Sequence, residues 1–169
     1  MSEESIEYSP RSSPLGRLLV AGTQRGVCLV DFGTSGGELR ERLAREFPFA
    51  DCRAVRGPLA RSWADQIARY LDGRTEQIGV PLDVGSSRFQ RRVWAALRRI
   101  PRGETLAYSD VARKIGRPTA ARAVARACAN NPTPVVTPCH RVIEKDGGLG
   151  GCARGVRRKR RLLEMEGAR

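Results

Sequence analysis

The chain has 169 residues, of which 40% are apolar, and it carries a formal net charge of +13 at pH 7. This length allows one large domain or two small ones, and the apolar fraction is enough to fill a core. No apolar run approaches the roughly 20 residues of a membrane-spanning helix, so we expect no membrane association. One histidine, and five cysteines that form no C-x-x-C pair, exclude the usual zinc patterns, and we expect no metal site.

The charge is distributed unevenly between the two halves of the chain. Residues 1–85 contain 11 arginines and 12 acidic residues, whereas residues 86–169 contain 20 basic and 6 acidic residues, a net charge of +14. Such an excess in one half is typical of a protein that binds a polyanion. A merely solvated, arginine-rich surface is the alternative. The odd cysteine count and the lack of an export signal predict a reducing, cytoplasmic location.

The first half predicts a small α/β domain over residues 1–84. Residues 1–14 are polar, and we expect them to be frayed at the start. Residues 15–32 favour two short strands joined by a hairpin at residues 23–26. The remaining predicted elements are helices over residues 38–47 and 59–71 and an extended linker over residues 80–85.

The second half, residues 85–169, predicts a mainly helical domain. A first helix, capped by Ser86 or Ser87, presents an apolar face and ends before the Pro101-x-Gly103 stretch.

Two shorter helices are predicted next in the chain. Ser109 is placed to cap a helix over residues 110–115, and Thr119 to cap another that ends near residue 130. Residues 116–118 form a tight turn between them. A helix, a glycine-containing turn and a second helix is the layout of a DNA-binding helix-turn-helix.

The second helix of this pair carries small residues between arginines, over residues 120–127. A helix that reads the major groove usually presents Asn, Gln, Arg or Ser to the base edges, whereas alanines let the backbone approach closely and suit the narrow minor groove. The alternative is that Ala123, Val124 and Ala127 simply pack on a core. Both readings stay open on the sequence alone.

The single histidine directly follows a cysteine, in the pair Cys139-His140. A thiol becomes a strong nucleophile as the thiolate, and imidazole can take its proton near neutral pH. Pro134 and Pro138 fix the backbone around an apolar run, which predicts that Cys139 leaves a short strand. Neighbouring side chains of a strand point to opposite faces, so either the backbone turns here or a water bridges the sulfur and the imidazole.

Residues 131–142, Asn-Pro-Thr-Pro-Val-Val-Thr-Pro-Cys-His-Arg-Val, resemble the active-site motif of the O6-alkylguanine-DNA alkyltransferases. Three further stretches match that family at its spacings, at residues 89–97, 100–108 and 122–124. The resemblance is strong from about residue 89 to residue 166 and looser over residues 6–84. It implies the fold of that family, an α/β (α+β) domain with a small sheet followed by a mainly helical catalytic domain that contains the helix-turn-helix.

The resemblance implies how a proton would leave the thiol. Cys139 takes up the alkyl group and His140 takes the thiol proton. Glu166, which lies 27 residues after Cys139, orients the histidine and stabilises the imidazolium. An ordinary exposed acid at a helix end is the alternative for Glu166, and Glu164 is the competing candidate, but the spacing favours Glu166.

The resemblance also assigns bracing, proton-donating and DNA-binding residues. Asn131 braces the turn that holds the nucleophile. Tyr108 eases nucleotide rotation and supplies a proton to guanine N3, although a tyrosine at a helix start usually serves packing. Arg122 enters the base stack where the target nucleotide has rotated out. The other residues expected at the DNA are Arg117, Thr119, Ala121 and Arg126, with the two arginines on phosphates.

The expected substrate pocket departs from the family at one wall. Its lining residues are Pro134, Val142, Cys152 and Ala153. The family usually has tyrosine where this chain has Cys152, and a thiol is smaller and a weaker hydrogen-bond donor. Thr137, where the family prefers an aliphatic residue, is a milder departure. We expect these changes to affect rate or alkyl preference while leaving the nucleophile in place.

The resemblance implies a DNA repair protein that moves an alkyl group from guanine O6, with O4-alkylthymine left open, to its own Cys139 once and irreversibly. Its partner is double-stranded DNA containing the lesion, no cofactor is needed because the DNA is the alkyl donor, and we expect a monomer in the cytoplasm at the nucleoid, or in the nucleus of a eukaryote. Three alternatives are a non-catalytic lesion-binding protein, a helix-turn-helix regulator and a cysteine hydrolase.

Overall fold

The computed structural model describes residues 4–55, 58–150 and 155–168. The chain divides into two compact units, Met1–Val84 and Gly85–Arg169. The first unit is a mixed sheet with helices and the second is mainly helical. Among the described residues, no helix is both long enough and apolar enough to cross a membrane.

The first unit is built on a four-stranded sheet in the order β3-β2-β1-β4. Its strands are β1 (Ser5–Ser13), β2 (Gly16–Gly22), β3 (Val27–Gly33) and β4 (Asp51–Ala54). β2 and β3 pair antiparallel, with Leu19 opposite Asp31, which confirms the predicted hairpin. β1 pairs antiparallel with β2 and parallel with β4.

The expectation of a frayed polar start was wrong for residues 5–13, which form the interior strand β1. Ile6 and Ser9 are buried, and β1 has a hydrogen-bonded neighbour on each side. Its many serines and charged residues hide the short alternation of buried and exposed positions. Strand propensity depends on the neighbours of a strand, which a local pattern does not contain.

Two helices cover this sheet, α1 (Gly36–Glu46) and α2 (Pro58–Leu71). α1 packs on β3, and α2 packs on β1 and β2. Ser35 caps α1, because its hydroxyl accepts the backbone N–H of Glu38 at 3.2 Å. The apolar periodicity that predicted the helices corresponds to their buried faces, with Leu39, Leu43 and Ile67 in the core.

The linker at the end of the first unit is extended, as predicted, and is held against β3. Leu82 forms a parallel bridge with Val27. The backbone N–H of Val27 donates to Pro81 at 2.8 Å, and Asp83 donates back to Val27 at 2.9 Å. The segment therefore adds a short piece of sheet to the hairpin.

The second unit contains four helices among the described residues, together with a short parallel strand pair. The helices are α3 (Arg88–Arg98), α4 (Tyr108–Lys114), α5 (Ala121–Ala129) and α6 (Val156–Met165), and the strands are β5 (Leu106–Ala107) and β6 (Val142–Ile143). Ser87 caps α3 through a reciprocal pair of hydrogen bonds with Gln90. α4 and α5 pack on each other and on α3, so the predicted helix-turn-helix is present.

Two predicted helix caps in the second unit were wrong. α4 begins one residue before Ser109 could cap it, because the carboxylate of Asp110 accepts the backbone N–H of Ala107 at 3.0 Å. α5 begins after Ala120, and Thr119 lies inside the turn that Ala120 closes by donating to Arg117 at 2.9 Å. In both places a hydrogen bond outside the expected cap sets the first turn.

Candidate active site

The segment before the nucleophile is a loop, so the predicted short strand was wrong. Pro134 and Thr137 form an isolated bridge, and the two valines between them make a turn in which Val135 has a φ of +75°. This buried left-handed valine is a strained conformation that the surrounding loop must hold. The alternative of a turning backbone is realised, because Cys139–Arg141 form one turn of 3-10 helix.

Asn131 ties the two ends of this loop together from inside. Its side-chain amide donates to the backbone carbonyl of Thr137 at 2.8 Å, and its amide oxygen accepts the backbone N–H of Thr133 at 3.0 Å. Asn131 is buried. The carbonyl of Thr137 also accepts the N–H of Cys139 at 2.8 Å. The side chain of Asn131 thus fixes the loop backbone that precedes Cys139.

His140 and Glu166 form a buried hydrogen-bonded pair. His140 Nε2 lies 2.8 Å from Glu166 Oε1, and both residues are less than 10% exposed. An ionised carboxylate only accepts hydrogen bonds, so the proton of a neutral imidazole belongs on Nε2 and the lone pair on Nδ1. Among the described residues, the buried Nδ1 has no hydrogen-bond partner. Glu164 is exposed and therefore does not compete for this position.

Burial lowers the pKa of His140, and Glu166 opposes this shift. The imidazole is therefore neutral near pH 7 and can accept a proton. Cys139 is half-buried at the start of the same 3-10 turn. A neutral imidazole on the next residue can take the proton of the thiol, and loss of that proton activates a cysteine as a nucleophile.

Arg141 is a third member of this network, and the sequence reasoning missed its role. Its Nε donates to Glu166 Oε2 at 3.0 Å and its Nη2 to Glu166 Oε1 at 2.9 Å. Its Nη1 donates to the backbone carbonyl of Ile100 at 2.6 Å. The motif contains this arginine, but its spacing does not reveal a partner 25 residues away in the chain.

Tyr108 and Lys159 form a second buried pair in the same unit. Lys159 Nζ donates to the Tyr108 hydroxyl at 3.3 Å and lies 5.6 Å from the centroid of its ring. An ammonium group only donates, so the proton of the phenol is not used in this bond. Lys159 was missed because it sits within the basic run of residues 157–161, which resembles a solvated helix face.

Of the expected pocket residues, Pro134 and Val142 are buried close to the nucleophile in the chain. Cys152 and Ala153 lie outside the described residues. Gly150, just before them, has a φ of +69°, and a Cβ built on it would lie 3.1 Å from the Tyr108 hydroxyl. Gly150 therefore lies next to Tyr108.

The helix α5 presents two different faces. Val124 and Ala127 are buried, and the carbonyl of Ala127 accepts the indole N–H of Trp94 at 2.9 Å. Arg122 and Arg126 are exposed on the other side, whereas Ala121 is half-buried. The turn before α5 also exposes Arg117 and Thr119. The core-packing interpretation therefore holds for Val124 and Ala127, and the arginines expected at the DNA lie on the exposed side of the same helix.

A cavity of about 520 Å³ lies in this unit among α3, the end of α4 and the loop after α3, and the catalytic candidates are not among its lining residues. Its walls include Arg92, Arg99, Glu104 and Lys114. Within residues 4–55, 58–150 and 155–168, no three His, Cys, Asp or Glu side chains are grouped so that they could hold a metal ion. The candidate nucleophile and its histidine lie instead in the 3-10 turn, and Arg141 and Glu166 are buried against that histidine.

Two family models match the chain, one for each unit. Residues 6–84 match the ribonuclease-like domain of 6-O-methylguanine DNA methyltransferase, and residues 88–168 match its DNA-binding domain. The methylated-DNA–protein-cysteine methyltransferase of Mycobacterium tuberculosis is 39% identical over 165 residues, which cover 97% of this chain and 94% of that protein.

The bifunctional transcriptional activator/DNA repair enzyme Ada of Escherichia coli is 40% identical over 162 residues, which cover 96% of this chain and 46% of Ada. The chain thus spans about half the length of that relative. Among solved structures, Mycobacterium tuberculosis OGT in complex with DNA superposes with a TM-score of 0.80 at 35% identity, covering 95% of this chain and 92% of that one.

Proposed function

This chain belongs to the 6-O-methylguanine DNA methyltransferase family, and from that premise we propose that it repairs DNA by moving an alkyl group from guanine O6 to its own Cys139. The observation that carries the proposal is the buried pair of His140, which follows this cysteine in the 3-10 turn, and Glu166, which caps the end of α6. The pair supplies a neutral base on the residue that follows the cysteine in the chain.

The reaction begins with loss of the thiol proton. Adjacent side chains in a 3-10 turn diverge, so a water molecule carries the proton from the sulfur of Cys139 to Nδ1 of His140. Glu166 accepts the Nε2 proton and stabilises the imidazolium that forms. The result is a thiolate next to a positive charge, which lowers the energy of the charge-separated state.

The thiolate then attacks the alkyl carbon in line with the bond to guanine O6. A sulfur–carbon bond forms, the carbon–oxygen bond breaks, and its electron pair passes to the guanine. Tyr108 gives its phenol proton to guanine N3, which neutralises the developing charge of the leaving group. Lys159, at 3.3 Å from the phenol oxygen, stabilises the phenolate until the imidazolium proton replaces the one it lost.

The products are an unmodified guanine and a thioether on Cys139. The thiol proton has in effect moved to the guanine, so the step balances without a cofactor or an added reductant. Cellular thiols do not readily reverse a thioether, so each molecule acts once. Asn131 serves this chemistry by fixing the loop that presents the sulfur.

The lesion must leave the duplex before this attack is possible. O6 lies within the base stack, where a protein sulfur cannot align with the alkyl carbon. We assign the exposed face of α5 to the minor groove, with Arg122 in the stack in place of the rotated nucleotide. Arg117 and Arg126 bind phosphates, and Thr119 and Ala121 lie at the DNA backbone. The substrate pocket is lined by Pro134, Val142, Cys152 and Ala153.

The substrate also determines where the protein acts. It works on chromosomal DNA, in the cytoplasm at the nucleoid, or in the nucleus if the chain is eukaryotic. A lesion-binding protein without chemistry has no need of an activated thiol, and a major-groove regulator has no need of an alanine-rich recognition helix. These contrasts favour alkyl transfer over the two binding functions.

Intact-protein mass spectrometry with excess O6-methylguanine duplex tests the proposal. We expect the protein to gain one methyl group, mapped to Cys139, and product to stop at one equivalent. Continued product formation would indicate a hydrolase, and binding without a mass change would indicate a lesion-binding protein. An O4-methylthymine duplex in parallel defines the lesion range.

A further inference from the structure

All three guanidinium nitrogens of Arg141 donate hydrogen bonds inside the second unit. Its guanidinium binds both carboxylate oxygens of Glu166, at 3.0 and 2.9 Å, and the carbonyl of Ile100 at 2.6 Å. Arg141 is 9% exposed and Glu166 is 8% exposed, so the pair is largely removed from water. A two-point contact of this kind is the strongest way for a side chain to neutralise a carboxylate.

A buried carboxylate alone would be a poor partner for a histidine that must act as a base. It favours the charged form of the imidazole, and the pair would then rest as imidazolium and carboxylate. A protonated His140 has no lone pair on Nδ1 and cannot take the proton of Cys139. A group that limits the pull of Glu166 on the imidazole proton therefore adds to the effect of burial.

We propose that Arg141 is a positioning residue that binds both oxygens of Glu166, so that this carboxylate orients His140 without retaining an extra proton on it. The inference rests on the proposed function, because it explains how the base stays ready at neutral pH. The guanidinium acts through Glu166 and does not touch the substrate.

The titratable and charged groups around His140 come from two elements, the 3-10 turn and the helix α6 with its C-terminal cap. Lys159 approaches from α6, together with Glu166, and Cys139 and Arg141 flank the histidine in the 3-10 turn. Burial is the largest cause of the lowered pKa of His140, Glu166 raises it, and Arg141 and Lys159 lower it. Removing the positive charge of Arg141 therefore raises the pKa of His140.

His140 is the only histidine in the chain, so its titration can be followed without ambiguity by NMR of the imidazole nitrogens. We expect the midpoint in the unmodified protein to lie below the ordinary value of 6.5. In Arg141→Gln it should rise by about one pH unit. The acid limb of the alkyl-transfer rate, measured with the free base O6-benzylguanine, should move upward in pH by the same amount.

Two further variants separate this role from simple bracing. Arg141→Lys keeps the charge without the two-point contact, so the midpoint should rise by less than in Arg141→Gln. Arg102→Gln removes an arginine that donates to the carbonyl of Met165 at 3.1 Å, near the same helix end. This control should loosen the end of α6 and leave the midpoint of His140 unchanged.

An unchanged or lowered midpoint in Arg141→Gln, with rates reduced equally at every pH, would overturn the inference and leave Arg141 as a structural brace. If Arg141→Gln does not fold, Arg141→Lys decides the matter, since an unchanged midpoint there also overturns it. The titration does not require alkyl transfer. A protein that fails the methyl-transfer experiment therefore loses the proposed function only, and an unchanged titration in an active protein removes only this inference.

Discussion

The two compact units bury different kinds of side chain. In the first unit the interior is formed by aliphatic and aromatic residues, and among its described residues only Ser9 and Asp31 are buried polar side chains. The second unit buries seven polar or charged residues among those described. They are Asn131, Thr133, Thr137, His140, Arg141, Lys159 and Glu166.

The two interiors are expected to contribute differently to the free energy of unfolding. Burying apolar surface stabilises a fold at about 25 cal/mol per Å², whereas buried charges bring little net stability and require every partner in place. Six of the seven belong to the loop before Cys139, to the 3-10 turn or to the carboxylate that binds it, and Lys159 pairs with Tyr108. We therefore expect substitutions in the first core to change stability and substitutions in the network to change chemistry as well.

The largest effect should come from the nucleophile itself. Cys139→Ser should abolish alkyl transfer, because a hydroxyl is not ionised by a neutral imidazole near pH 7. Binding to a lesion duplex should be nearly unchanged, since it depends on the basic surface. Gel-shift titration and methyl transfer measured on the same preparation check both points. Transfer that persists, with the label on Cys152, would remove Cys139 from its role.

Glu166→Gln should affect both chemistry and stability. The variant loses the charge that stabilises the imidazolium, so the transfer rate should fall about 100-fold. It also removes the buried carboxylate that Arg141 binds through two nitrogens, which costs about 3–5 kcal/mol in the free energy of unfolding. Urea denaturation and single-turnover rates measure the two effects. Glu164→Gln, on the exposed side of the same helix end, is the control and should change neither.

Leu39→Ala probes the apolar interior of the first unit. Leu39 is completely buried, so truncation should lower the free energy of unfolding by about 2–5 kcal/mol. The rate of alkyl transfer per folded molecule should be unchanged at a temperature where the variant is folded. A rate loss as large as that of Glu166→Gln would contradict the division between a stabilising and a reactive interior.

Arg122→Ala separates the exposed charges of the second unit from its buried ones. Repair of a duplex lesion should slow about tenfold, because the rotated nucleotide loses the group that replaces it in the stack. Reaction with free O6-benzylguanine, which needs no rotation, should keep its rate. Arg160→Ala, an exposed arginine on α6, is the matched control. Equal losses on the two substrates would place Arg122 in the pocket or in the core.

The smallest expected effect concerns Cys152, which occupies the position where the family usually has tyrosine. Cys152→Tyr should change the repair rate several-fold, because one neutral hydrogen bond contributes about 1 kcal/mol. The unmodified protein should accept benzyl groups relatively better than the variant, since its pocket wall is smaller. Rates measured for methyl and benzyl substrates give this comparison. Identical ratios for the two proteins would remove Cys152 from the pocket.

Local patterns were sufficient for the elements whose causes are local. The hairpin of the first unit, the buried faces of α1 and α2, and the capped start of α3 follow from turn residues, apolar periodicity and the Ser87–Gln90 pair. The Cys139-His140 motif likewise left open a turn of the backbone, and the structure has a 3-10 turn there. The polar strand β1, in contrast, becomes a strand only between the neighbours that pair with it.

The sequence by itself therefore determined the small α/β part, the mainly helical second part with its basic charge, and the adjacency of a thiol and the single histidine, which it predicts to be the reactive pair. Tertiary structure alone decided which buried groups support them. Arg141 meets Ile100 across 41 residues of chain and Lys159 meets Tyr108 across 51, and neither distance leaves a periodic signal. Hydrogen bonds between distant residues form only when the fold brings donor and acceptor together, so no window of sequence contains them.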